Sequence, residues 1–273
     1  MKGAITMNCC CFTAWGKSLS VFVCGAVAAL LIFGLGASSS SLALQQKDRR
    51  FDDGIVWPEP KVITPGANNE APSDATVLFD GKNFDAWKGA EKWKVDPDGG
   101  ATAVSLIKTK QPFGDCQLHI EFASPKVVKG SGQGRGNNGI GLMDGRYEIQ
   151  VLDSYNNPTY FVGQAAAVYN QHPPLVNASR KPGEWQTYDI VFEAPRFEKD
   201  GKLNKPGFVT VFHNGVLVQN HTEIKGVTHY DQPYAYVAHA EKLPIQLLYH
   251  GNPVRFRNIW IREIAELEGK KKQ

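Results

Sequence analysis

Cysteine all but disappears from this chain after residue 24. Of the five in 273 residues, Cys9, Cys10, Cys11 and Cys24 crowd the start, and only Cys116 lies beyond them. With that start removed, no intramolecular disulfide can form. A domain of about 200 residues builds its core without one. Cys116 follows Asp115 on a strand-like segment and reads as a small buried residue rather than a nucleophile. Cysteine–histidine spacing of the metal-binding kind is absent, so no metal ligands are assigned. An excess of one charge is also missing. The 30 Lys and Arg face 27 Asp and Glu, mixed along the chain, which argues against a nucleic-acid partner. Lys270, Lys271 and Lys272 read as a solvated tail. Helical periodicity is scarce, with Ile261 to Lys270 the one short candidate.

One long apolar run is present, from Val21 to Ala37, after Lys2 and Lys17 and before a serine cluster. Ser41-Leu42-Ala43 has the small-x-small form that signal peptidases cut. Residues 1–43 therefore read as a signal peptide cleaved before Leu44. An uncleaved membrane anchor is the alternative. Gly25, Gly34 and Gly36 dilute the run and favour cleavage. Either way the rest is exported, to the periplasm or outside the cell. The membrane is a partner only if the leader stays on.

Residues 44–75 form a polar lead-in holding Pro58, Pro60, Pro65 and Pro72. They read as an extended arm, with Trp57 docking on the domain. Residues 76–266 carry the domain, and 267–273 a polar tail. Strands follow from alternation over Thr76 to Phe79, Cys116 to Phe122, Ile140 to Met143, Tyr147 to Leu152 and Tyr188 to Phe192. Further strands are read at Phe208 to Phe212, Val216 to Val218, Ile245 to Tyr249 and Val254 to Ile261. Asp144-Gly145 and Asn214-Gly215 mark hairpin turns. Short strands at regular spacing, with plentiful Gly, Pro and aromatics, predict an all-β, two-sheet antiparallel sandwich.

One strand carries more than packing. In Arg146-Tyr147-Glu148-Ile149-Gln150-Val151-Leu152-Asp153, Arg146, Glu148 and Gln150 share one face and the apolar residues the other. A bulge near Val151 would turn Asp153 onto the polar face. Two carboxylates and an amide would then share one surface. An ordinary strand with one wet face is the plainer reading. Two long irregular stretches, Lys126 to Asn138 and Asn156 to Gly183, have the length of binding loops.

The order of short segments resembles the 3-keto-disaccharide hydrolase family. They are Leu78-Phe79-Asp80-Gly81-Lys82, Leu118 to Phe122, Asn137-Asn138-Gly139-Ile140, Tyr147 to Ser154, Pro182 to Trp185, His213-Asn214-Gly215, His250-Gly251 and Phe256 to Ile259. The resemblance covers residues 76 to 264 and implies a jelly roll of the concanavalin A-like lectin/glucanase type. The chain departs from the family pattern at Asn138, at Ala166, where glycine is usual, and at Leu248, where glutamine is usual.

The resemblance implies a chemistry. A C3 ketone acidifies the proton on C2 of the sugar. A base removes it, the enolate expels the C1 substituent, and water adds to the product. Glu148 is the candidate base and His250 the candidate acid, with the roles exchangeable. Glu121, Asn137, Arg146, Gln150, Asp153, Tyr169, Gln246 and Arg257 are candidate sugar contacts. Among them, Gln246 is a partial substitute for the missing glutamine. The plainer readings are a Glu121–Arg146 cross-strand pair, a turn role for His250, and packing roles for Tyr169, Trp185 and Arg257. No cofactor is required, with a divalent cation such as calcium left open. The partner is a carbohydrate. A retaining glucanase pattern is approached by Glu148-x-Gln150-x-x-Asp153 but lacks its central acid. A non-catalytic carbohydrate-binding module on the same sheet face is the other alternative.

Overall fold

The computed structural model describes residues 51–272. The leader expected at residues 1–43 lies outside them. The strands, in chain order, begin with β1 (Ile55–Val56), β2 (Thr76–Phe79), β3 (Trp87–Lys88), β4 (Ala101–Thr102), β5 (Ile107–Thr109) and β6 (Cys116–Ala123). Next come β7 (Asn138–Leu142), β8 (Tyr147–Val151), β9 (Gln186–Glu193), β10 (Arg196–Phe197) and β11 (Leu203–Lys205). The last are β12 (Gly207–His213), β13 (Val216–Ile224), β14 (Gln246–Leu247), β15 (Arg255–Glu263) and β16 (Lys270–Lys271). Among the described residues there is no α-helix.

Two antiparallel sheets carry the fold. The larger has the order β13-β12-β9-β6-β15-β2, with β4 also pairing β15. The smaller runs β3-β5-β14-β7-β8. The pattern Gln186 to Glu193 alternates buried and half-exposed, as a strand with one core face must. Its inward Tyr188, Ile190 and Phe192 meet the inner face of the smaller sheet. The Tyr147 and Phe192 rings lie 6.3 Å apart, and Tyr188 Oη donates to Gln150 O at 2.9 Å. This is the sandwich that the strand spacing predicts.

The hairpin signals hold. His213 pairs with Val216 across Asn214-Gly215, both at positive φ (52° and 78°), the two-residue turn that matches strand twist. The β7–β8 turn is longer, four residues from Met143 to Arg146. Cys116 is fully buried, and burial pushes its thiol up to about 12, so it packs rather than reacts.

One expectation is overturned. Ile261 to Lys270 is not a helix. Ile261–Glu263 continue β15, because Ile261 is buried between the partner strands β6 and β2. The end of the lead-in is held against the domain. Asn69 O accepts Trp260 Nε1–H and Asn258 Nδ2–H, each at 2.9 Å. Asp74 takes the Arg262 guanidinium at 2.7 and 3.1 Å. These contacts fix residues 69–74 to the outer face of β15. Trp57 is half exposed.

Candidate functional site

The face of the smaller sheet turned away from the core holds a hollow of about 370 Å³. Its walls include Gln133, Asn137, Glu148, Gln150, Tyr169 and His250. Register explains the floor. Glu148 pairs with Gly141 and Gln150 with Gly139, so the neighbouring strand offers no side chain beside either polar group. A Cβ on Gly139 would lie 2.2 Å from Glu148 Oε1. The glycine is thus the space in which the carboxylate sits.

The long loop closes the other flank. β8 is an edge strand, and an edge needs partners for its N–H and C=O groups. Residues 166–169 supply them: Gln150 N donates to Ala167 O, Ala166 N to Gln150 O and Tyr169 N to Glu148 O. That pairing sets Tyr169 beside Glu148. Ala166 adopts φ +65° to make the turn. This is the left-handed region, where a non-glycine residue costs about 1 kcal/mol; it explains why glycine suits the position.

Glu148 is 8 % exposed. His250 Nε2 lies 3.8 Å from its Oε1, and the imidazole is about half exposed. Turned to donate, the Gln150 amide reaches Glu148 Oε1 at 3.0 Å and Asn138 O at 2.8 Å. We take this orientation because the other sets the Gln150 oxygen against two acceptors, Glu148 Oε1 and Asn138 O, where this one sets it against Gln133 Oε1 alone. Burial, the Tyr160 hydroxyl and the Glu148 charge all raise the Tyr169 pKa, keeping it a neutral phenol. Tyr160 and Tyr169 share a hydrogen bond of 2.8 Å. The hollow therefore joins a buried carboxylate, an imidazole and several neutral donors. Among the described residues no group of three or more metal-ligating side chains comes together.

Sequence reasoning brought Glu148, His250, Asn137, Gln150 and Tyr169 to one place. It missed Gln133, Tyr160, Thr228, His229 and Tyr230, which also line the hollow. Loop length pointed toward Gln133 and Tyr160; nothing in the pattern marked 228–230.

The other candidates lie elsewhere. Asp153 is not swung beside Glu148. It is buried against Arg135 at 2.6 Å and lines an adjoining hollow of about 350 Å³ with Gly136 and Asn252. β8 ends at Val151, so the alternation that would align Asp153 stops before it. The retaining-glucanase pattern thereby loses its second carboxylate. Arg146 turns back to Met143 O at 3.1 Å and does not pair with Glu121. Gln246 shares the cleft face but donates to Asp144 Oδ1 at 2.7 Å, which occupies the amide meant to replace the family glutamine. Leu248 extends toward Gly141 on that same face, where a glutamine would be within the sheet's polar surface.

Glu121 and Arg257 belong to the opposite sheet, because β6 and β15 pair there. They bond to each other at 2.6 Å. His119, 1 % exposed, lies between Asp189 at 2.7 Å and Glu121 at 3.8 Å. Burial opposes its charge, yet the two carboxylates outweigh burial and lift it to about 9. Burial also opposes the Glu121 charge, but His119, Asn258 and Arg257 hold it down to about 2. The signs set a window. His119 gives its stability in full below its ordinary value of 6.5 and loses it as pH rises through about 9. Glu121 gives its stability above 4.5 and loses it as pH falls toward 2. Asp189 is about a third exposed, so we discount the His119 share to about 2 kcal/mol. The melting temperature is expected to fall by roughly 4–8 °C between pH 6.5 and 9, and His119→Gln to flatten that limb. Equal slopes for the two proteins would remove His119 from the pH dependence.

Comparison with known proteins adds to this geometry. Residues 74–262 match the model of the 3-keto-alpha-glucoside-1,2-lyase-like domain. A candidate glycosyl hydrolase of known structure from Parabacteroides distasonis is 46 % identical over 80 % of this chain and 96 % of its own, with a TM-score of 0.73. A second candidate glycosyl hydrolase from that organism is 24 % identical over 70 % of this chain and 99 % of its own, with a TM-score of 0.51, which speaks for the fold alone. Among proteins of curated function, none matches the chain.

Proposed function

Because the chain belongs to the 3-keto-alpha-glucoside-1,2-lyase-like family, we propose that the hollow around Glu148 and His250 cleaves 3-keto glycosides by elimination and hydration. The coarser statement, a carbohydrate-active enzyme of glycoside-hydrolase type, rests on the family and on the 46 % identical structure. The finer one rests on a single observation. Glu148 and His250, far apart in sequence, face each other at 3.8 Å across a polar hollow.

The geometry suits the chemistry in order. The Glu148 carboxylate, oriented by Gln150 and the bare backbone of Gly139, takes the C2 proton of the bound 3-keto sugar. The electron pair moves into the ketone, giving an enolate. Neutral donors on Asn137 and Tyr169 face the hollow where that oxygen would develop charge. The enolate then expels the C1 oxygen, which His250 protonates from the open side. Water adds at C1 and a proton returns to C2. Among the described residues one buried carboxylate lines this hollow, which suits proton transfer better than a two-carboxylate displacement.

The test compares a 3-keto disaccharide with its unoxidised parent in D₂O. We expect cleavage of the keto form only, with one deuteron at C2 of the product. Cleavage of the parent at a similar rate, or a product without C2 deuterium, would overturn the proposal. His250→Gln is expected to lower kcat by about 10²-fold. Its stability should change by less than about 0.5 kcal/mol, since the side chain is exposed. An unchanged kcat would assign the acid to another group lining the hollow, such as His229.

A further inference from the structure

A third hollow, of about 400 Å³, lies on the outer face of the larger sheet. Glu121, Arg180, Trp185, Asp189 and Arg257 line it, and the lead-in residues Asn68 and Asn69 wall one end. It shares no residue with the hollow around Glu148.

Several features set it apart from a routine surface ion pair. The first is the backbone beneath it. Glu121 faces Arg257 and His119 faces Trp260, so β15 carries one extra residue between two rungs of the ladder. Asn258 takes φ +44° there and turns its amide onto Glu121 Oε1 at 2.9 Å. Bulges of this kind re-aim side chains and gather at binding sites. The second is the unfinished state of its cations. Glu121 takes only the Nε–H of Arg257. Trp185 O takes only the Nη1 edge of Arg180. Among the described residues both guanidiniums keep donors in hand. The third is rigidity. The Arg257 guanidinium stacks on the Trp185 ring at 4.2 Å, which fixes its plane.

We infer that this hollow binds a carboxylate-bearing sugar, a uronic acid unit, at a site separate from the Glu148 cleft. Two planar guanidiniums with spare N–H groups match a carboxylate in geometry as well as charge. Glu121 and Asp189 stand in the same wall, so a dianion such as phosphate would meet about twice the repulsion that a single carboxylate meets. The exposed side of Asp189 and the Thr187 hydroxyl accept or share sugar hydroxyl protons. The ring edge of Trp185 offers contact to sugar C–H groups. A neutral sugar would leave the guanidinium donors unused.

The test titrates the full chain with glucuronate, glucose, acetate and sulfate, reading the Trp185 indole N–H by NMR, assigned with Trp185→Phe. Glucuronate is expected to shift that signal and glucose is not. Acetate and sulfate should bind at least about tenfold more weakly than glucuronate. Arg180→Gln, at an exposed side chain, is expected to weaken glucuronate about tenfold, and Glu148→Gln to leave it unchanged. Equal binding of glucose and glucuronate would overturn the inference. So would acetate or sulfate as tight as glucuronate, or wild-type affinity in Arg180→Gln.

Discussion

Glu148→Gln is expected to reduce turnover of a 3-keto disaccharide by at least about 10³-fold. The fold should remain as it is. The substitution keeps the volume and planarity of the side chain and removes only its capacity to accept a proton. The surroundings tolerate an amide. Gln150 stands 3.0 Å away with an amide of its own that turns to suit, and Thr228 Oγ1 accepts the backbone N–H of residue 148 rather than its side chain. Two readouts separate the alternatives. Binding of the keto sugar should persist, because Asn137, Tyr169 and His250 are untouched. Deuterium exchange at C2 should stop together with cleavage. Turnover near wild type would remove Glu148 from the mechanism.

Gly139→Ala carries the second large effect, and by a different route. The added methyl would fall 2.2 Å from Glu148 Oε1 and 2.8 Å from its Cδ. Something has to move, and the carboxylate is the flexible end. Folding should suffer by no more than about 1 kcal/mol, since a side-chain terminus can swing aside. Catalysis should suffer far more, because a base displaced by about 1 Å loses on the order of 10²-fold in rate. A large drop in kcat with a melting temperature lowered by no more than about 4 °C is the expected signature. Full activity in this variant would show that the placement of Glu148 against β7 does not matter to the reaction.

The sequence disclosed the sheet framework well, and for a local reason. Gln186 to Glu193 alternates without interruption, and Asn214-Gly215 has a turn geometry that almost no other dipeptide adopts so readily. Such signals are complete within a few residues. The polar face of β8 was also legible, because Glu148 and Gln150 are spaced by two. What stayed hidden depends on which strand lies beside which. Glu121 and Glu148 look alike in alternating strands, yet β6 and β8 fall in different sheets. Asp153 needed a bulge that the chain does not form, and Arg135, twelve residues before β8, claims it instead. Thr228, His229 and Tyr230 reach the hollow from a loop with no periodicity to read. The pairing of Gln246 with Asp144 was likewise invisible, since both residues are ordinary turn-side polar groups in sequence.

The strip of loop backbone zipped to β8 has one more implication. By pairing Gln150 and Glu148 through their main-chain groups, it does for this sheet what a covering strand would, and it leaves no row of open amides for another molecule to adopt. The segment that sets Tyr169 in the hollow therefore also withholds this sheet edge from a second copy of the chain. A nick or deletion between residues 160 and 170 is expected to promote self-association through β8, which the oligomeric state of the cut protein would show.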